Sequence, residues 1–159
     1  MTRCTVSGQA AVEPEDASVP NAAKRSDGQF VDHWVLCETE RAKGFVRPVR
    51  DGYVHVGAPG AKFPLRELTP EEHERYDRFG YVKFEAYPDG AGMFWTQDRL
   101  DKIGKGCGTR TLMPQAIAET YARKPDYYGS TFCCGCGKYL PVGSYGEFVW
   151  DGTAERVGT

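Results

Sequence analysis

Apolar residues in this chain come in short runs broken by Gly, Pro and charged clusters, a pattern of short elements and frequent turns. Phe30, Val31, Trp34, Val35 and Leu36 form one compact run. Gly44-Phe45-Val46 follows and then, behind the Asp51-Gly52 pair, Tyr53-Val54-His55-Val56. Asp-Gly between β-rich runs is a hairpin signal, so two or three strands are predicted between Phe30 and Val56. Thr69-Pro70-Glu71-Glu72 combines a capping Thr, a Pro suited to the first helical position and a Glu placed to close a capping box. It predicts a helix from about Pro70 to Arg78, ended by Gly80. Tyr81 to Tyr87 alternates Val82, Phe84 and Ala86 with Lys83 and Glu85, the period of a half-buried strand. Pro88-Asp89-Gly90 turns it toward a partner around Met93-Phe94-Trp95. Thr96 opens a short helical turn through Leu100 and Ile103.

Beyond the glycine-dense stretch Gly104 to Gly108, a second helix is predicted from about Leu112 to Arg123. Thr109 or Thr111 stands near its cap, Pro125 closes it, and Ile117 and Tyr121 share one face. From Thr131 to Val157 the pattern is a Cys-rich turn with short strands, and Asp151-Gly152 marks a hairpin between Phe148-Val149-Trp150 and the stretch ending at Val157. The predicted fold is a small α+β domain. Strands near 30–37, 52–57, 81–87 and 93–95 form an antiparallel sheet, joined by two short helices and a C-terminal subregion like a zinc ribbon or treble clef.

Residues 1–28 hold few sizeable apolar groups amid Ser, Thr, Ala, Pro, Glu and Asp, so they read as a polar tail, with residues 29–159 forming a single domain. Composition sharpens the picture. Nineteen Gly and ten Pro exclude a helical bundle or coiled coil, while 40% hydrophobic and 13% aromatic residues suffice for a core. A net charge of -2 provides no global field toward DNA or an anionic membrane. There is neither a membrane-length apolar run nor a signal-peptide pattern near the start, which sets the expectation of a cytoplasmic protein.

The candidate chemistry lies in the cysteines. Of six, at 4, 37, 107, 133, 134 and 136, the pair Cys133 and Cys136 forms a Cys-x-x-Cys followed by Gly and Lys, the shape of a zinc knuckle. A tight turn aims two thiolates at one ion, and glycine after the second Cys permits the left-handed backbone that turns amides toward sulfur. Gly106-Cys107-Gly108 repeats half of this texture. A structural zinc takes four ligands, so Cys107, Cys133 and Cys136 leave one place. His55 is the first choice for it, and Cys134, Cys37 and His33 compete. Without a secretory signal, the cysteines are expected to be reduced or metal-bound rather than a disulfide framework. His73, among Glu71, Glu72, Glu74 and Arg75, belongs to a solvated helix face.

Several catalytic signatures fail. No His is followed two positions later by Glu, and Phe132 rather than Pro precedes Cys133, which excludes the zinc-deaminase pattern. His-Glu-x-x-His and the phosphate loop are also absent. A small metal-dependent or Cys-dependent enzyme using His55 or His33 remains as an alternative. From Arg99 to Lys124 the basic residues Arg99, Lys102, Lys105, Arg110, Arg123 and Lys124 outnumber Asp101 and Glu119, with Tyr121, Tyr127 and Tyr128 nearby. Such a stretch can hold a nucleic-acid backbone, although a solvated face with Tyr in the core is the favoured reading.

The run Tyr128-Gly129-Ser130-Thr131-Phe132-Cys133 through Cys136, with Tyr139-Leu140-Pro141-Val142 and Glu147-Phe148-Val149-Trp150, resembles uncharacterised small proteins carried by bacteriophages. Gly106-Cys107-Gly108-Thr109 and the Ile117 to Tyr121 helix are similar too, so that the resemblance spans roughly residues 92–152. It implies a phage accessory protein with a structural metal, in the host cytoplasm or the virion, and it implies no activity. The expected function is that of a non-enzymatic, zinc-stabilised binding protein with a protein partner. A nucleic-acid partner is not favoured, and no membrane is involved.

Overall fold

The computed structural model describes residues 3–6, 26–30 and 32–159. Among these, ten short strands and four α-helices, two of them very short, make an α+β fold. The strands do not join in one sheet as the apolar runs predict. They fall into four small antiparallel sheets, and each strand is only three to six residues long. By its internal contacts the chain forms two compact units: the described residues up to Val56 together with Cys107–Thr159, and Gly57–Gly106.

In the first unit, β1 (Arg3–Thr5) pairs with β2 (Trp34–Leu36), placing Cys4 opposite Val35. The predicted tail is thus partly built into the fold, and most of its remainder, like Val31, lies outside the described residues. A disulfide joins Cys4 to Cys37, the residue just after β2, with a Cα–Cα distance of 5.0 Å. This corrects the expectation that all six cysteines are reduced or metal-bound. Strand pairing across 33 positions of sequence brings the two together, and no local spacing announces it. The short helix α1 (Glu38–Arg41) follows, and Arg41 pairs with Glu119.

Strand β3 (Gly52–His55) is the centre of a three-stranded sheet between β7 (Arg110–Leu112) and β10 (Phe148–Trp150). Asp51-Gly52 therefore opens a strand whose partners, β7 and β10, come later in the sequence than residues 57–106, and no hairpin forms with residues 44–46. Thr111 lies in β7 and caps nothing. The predicted second helix starts only after Pro114, as α4 (Gln115–Arg123). On α4, Ile117, Ala118 and Tyr121 are buried against Val35, Tyr53, Phe148, Trp150 and Val157, the core of this unit. The hairpin predicted at Asp151-Gly152 is present, with Trp150 N–H donating to Glu155 O and Val157 N–H to Phe148 O. Strands β8 (Ser130–Cys133) and β9 (Lys138–Pro141) form a separate hairpin.

The second unit is a three-stranded sheet of β4 (Leu65–Glu67), β5 (Tyr81–Ala86) and β6 (Gly92–Thr96), with helices α2 (Pro70–Tyr76) and α3 (Gln97–Asp101). The capping box predicted at Thr69 and Glu72 is formed in both directions, and Thr96 caps α3 by accepting from Arg99 N–H. A 3-10 turn over Asp77–Phe79 carries α2 to Gly80. Trp95 is the most buried large side chain here, and Phe94 packs against Tyr76, Tyr81 and Phe84.

Candidate metal centre

Three segments of the first unit converge on one point. His55 ends β3, and its strand register sets it against Phe148 of β10, with ring centroids 5.2 Å apart. The segment entering β7 is tied to the same residue: Gly108 N–H donates to His55 O at 2.9 Å, and His55 N–H donates to Thr109 O at 3.3 Å. These bonds bring Cys107 to His55, and the Cys107 amide donates to His55 Nδ1 at 3.2 Å. The third segment is the turn of the β8–β9 hairpin, which carries Cys133 and Cys136. Gly137 adopts a φ of 68°, the left-handed conformation predicted for the position after the second Cys. Its amide donates to Cys133 O at 2.8 Å, closing the turn, and the Cys136 amide donates to Cys133 Sγ at 3.4 Å. Gly135 permits the close approach to the Cys107 segment, since a Cβ there would lie 2.8 Å from Cys107 Sγ and 2.5 Å from Thr109 Oγ1.

The sulfurs of Cys107, Cys133 and Cys136 and one imidazole nitrogen of His55 all lie within 4.8 Å of one another, a group able to hold a metal ion. A tetrahedral ion with sulfur at about 2.3 Å and nitrogen at about 2.0 Å separates a sulfur–nitrogen pair by about 3.5 Å and a sulfur–sulfur pair by about 3.8 Å. Cys136 Sγ lies 3.5 Å from His55 Nδ1, and Cys107 Sγ lies 3.4 Å from Cys133 Sγ. These two donor pairs are thus within a few tenths of an ångström of tetrahedral spacing, and no pair in the set is farther apart than 4.8 Å.

The two neighbouring sulfurs are electrostatically opposite. Hydrogen bonds from Thr109 hold the Cys107 thiol down to about 6, whereas burial pushes the Cys133 thiol up to about 12. Cys133 is fully buried while Cys107 and Cys136 reach the surface. Only a thiolate is a ligand, so a cation held here would have to displace any proton on these sulfurs.

Glu147 is a part of the site that sequence reasoning missed. Its Oε1 lies 2.9 Å from His55 Nε2, on the opposite edge of the ring from the sulfurs, and both side chains are buried. The available signal was a carboxylate heading the apolar run Phe148-Val149-Trp150.

The competitors for the fourth position lie elsewhere. Cys37 is in the disulfide. His33 Nε2 is 2.7 Å from Tyr139 OH. Cys134 turns toward β7, where its amide donates to Thr111 Oγ1 at 3.1 Å and its sulfur meets the same hydroxyl at 3.3 Å. His73 is exposed on α2.

The basic residues named as a nucleic-acid surface divide between the units. In the second, Arg99 lies over the Trp95 ring at 3.9 Å and Lys102 pairs with Asp98, with Lys105 three residues further on. In the first, Arg110 pairs with Asp151, Arg123 with Glu40 and Lys124 with Asp126. Five of the six thus already contact a ring or a carboxylate of their own unit.

No protein-family model matches the chain, and no curated protein or solved structure is significantly similar to it. Among the described residues, no helix is long and apolar enough to cross a membrane.

Proposed function

We propose that this is a non-enzymatic binding protein whose first unit is held in shape by a structural zinc on His55, Cys107, Cys133 and Cys136. The observation that carries the reading is the closed donor set: three sulfurs and one imidazole nitrogen fill a tetrahedral shell, whereas catalytic zinc keeps a position open for water or substrate. Three thiolates with one imidazole also suit zinc better than magnesium, calcium or manganese, which favour oxygen ligands. Large apolar side chains left exposed support docking on a macromolecule: Phe45, Val46, Leu112 and Tyr145 in the first unit, and Phe63, Leu65 and Phe79 in the second. The resemblance of residues 92–152 to small bacteriophage proteins supports an accessory role, with a virion component or a host defence factor as the partner, acting in the host cytoplasm or the virion.

A cysteine-dependent enzyme is the second reading, favoured by one observation. Cys107 is exposed and its thiol is held down to about 6 by Thr109, which in a metal-free protein makes it the reactive sulfur. Metal analysis of untagged protein, with thiol titration before and after a strong chelator, separates the two. One zinc per chain, with thiols released only by the chelator, is the expected result. Metal-free protein whose thiols titrate at once, Cys107 first, overturns the zinc reading in favour of the second.

A further inference from the structure

Glu147 is a buried carboxylate, 6% exposed, whose side-chain hydrogen bond among the described residues is with a histidine and not with Arg or Lys. Burying a carboxylate is costly unless the surroundings favour its charge. Its position is also fixed from three sides. Its amide donates to Pro141 O at 3.0 Å and its carbonyl accepts from Val56 N–H at 3.0 Å, which ties the end of β9 and the end of β3 to the start of β10.

Two independent contacts define the same form of His55. A neutral imidazole carries one N–H. The Cys107 amide donates to Nδ1, so that nitrogen presents its lone pair. Nε2 faces a carboxylate oxygen, so that nitrogen presents its hydrogen. The Nδ1 lone pair thus lies on the sulfur side of the ring, where it accepts from the Cys107 amide until an ion takes that amide's place, and the N–H points to Glu147. Turning the ring over would place a C–H against the Glu147 carboxylate, and the Phe148 ring packs on the imidazole as it stands.

We propose that Glu147 is the positioning residue of the metal centre, fixing the Nε2–H form of His55 so that Nδ1 is the metal-facing nitrogen and thereby setting the affinity of the site. The inference rests on the zinc reading above. An ion drawing electrons from Nδ1 makes the Nε2 hydrogen more acidic and its bond to the carboxylate stronger, so the burial of Glu147 and the binding of the ion favour each other.

The test uses the full chain as wild type, Glu147→Leu and Glu147→Gln. Zinc affinity is read by competition with a chromogenic chelator, and the protonated ring nitrogen by long-range proton–nitrogen correlation spectra of His55. Wild type should show hydrogen on Nε2 and metal on Nδ1. Glu147→Leu, which removes the acceptor, should bind zinc about 10- to 100-fold more weakly. Glu147→Gln, which keeps an acceptor oxygen, should retain the tautomer and most of the affinity. Equal affinity in wild type and Glu147→Leu, or hydrogen on Nδ1 in wild type, overturns the proposal while leaving the zinc reading intact. Failure of the wild type to bind zinc overturns both. Should Glu147→Leu not fold, the wild-type tautomer and the Gln variant still decide, because a Gln variant with the wild-type tautomer but a loss of affinity of about 10-fold or more also contradicts the proposal.

Discussion

The two units reach stability by different means. In the second unit the sheet is built from neighbours in sequence: β5 turns directly into β6, placing Phe84 opposite Phe94, and β4 pairs with β5 across α2. Buried Glu85 accepts from the amides of Lys62 and Phe63 and from Trp95 Nε1. Burial works to raise its pKa, yet these bonds hold the carboxyl below its ordinary value. In the first unit, apart from the β8–β9 hairpin and the turn after β10, the strand partners are distant in sequence. Strand β3 pairs with β7 and β10, β1 with β2, and the cysteine hairpin turn has Gly135 and Gly137 where a core would need side chains. Closing such loops costs entropy that grows with their length. Cross-links appear in this unit: the Cys4–Cys37 disulfide and the group of His55 with three cysteines. Two of the four ligands, His55 and Cys107, flank the inserted Gly57–Gly106 stretch, so an ion held there would join the two points of the first unit between which that stretch is inserted.

This contrast is broken most severely at the metal centre. Cys133→Ser is expected to abolish stoichiometric zinc and unfold the first unit, because structural zinc contributes on the order of 10 kcal/mol in small sites. Circular dichroism with metal analysis checks it, and a Cys133→Ser protein as stable as wild type would show that the cluster bears no load. Next in size is Trp95→Ala, which empties the centre of the second unit. It should destabilise that unit by about 4 kcal/mol in urea titrations and leave zinc at one per chain, since every ligand belongs to the other unit.

Replacing Cys4 and Cys37 together by Ser should lower the stability of the first unit by about 3 kcal/mol, by restoring the freedom of the loop in the unfolded chain. Calorimetry measures it, and zinc content should not change. The smallest effect concerns Glu72, whose hydrogen bonds with Arg66 and with the Thr69 amide hold its carboxyl down to about 2. A carboxyl lowered on folding stabilises the native state above its unfolded value of 4.5, and this contribution disappears as pH falls through about 2. The stability difference between wild type and Glu72→Ala should therefore be present at pH 6 and shrink steadily between pH 4.5 and 2.

Features with a local cause were legible in the sequence. The capping box at Thr69 and the turn at Asp151-Gly152 each lie within a few residues and took the predicted form; the strand predicted from the alternation of Val82, Phe84 and Ala86 is present, but its buried position is Glu85 and Ala86 is exposed, the reverse of the expected face. The four residues named as metal ligands are the four that the fold brings together: Cys133 and Cys136 share one local turn, whereas Cys107 and His55 come from distant segments. What was hidden depends on long-range pairing. Asp51-Gly52 looks like a turn, but the partners of β3 begin more than fifty residues later, at Arg110 and Phe148. Leu112 was placed in a helix because β7 is too short to show a period. Cys4, in a polar stretch, meets Cys37 only through β1 and β2, and Glu147 meets His55 only through the register of β10 on β3.

The most direct test of the central claim is X-ray absorption at the zinc edge on untagged protein. The account predicts a four-coordinate ion with three sulfurs at about 2.3 Å and one imidazole nitrogen at about 2.0 Å. A shell with an added water oxygen, or one dominated by oxygen and nitrogen, would contradict a closed structural site built from His55, Cys107, Cys133 and Cys136.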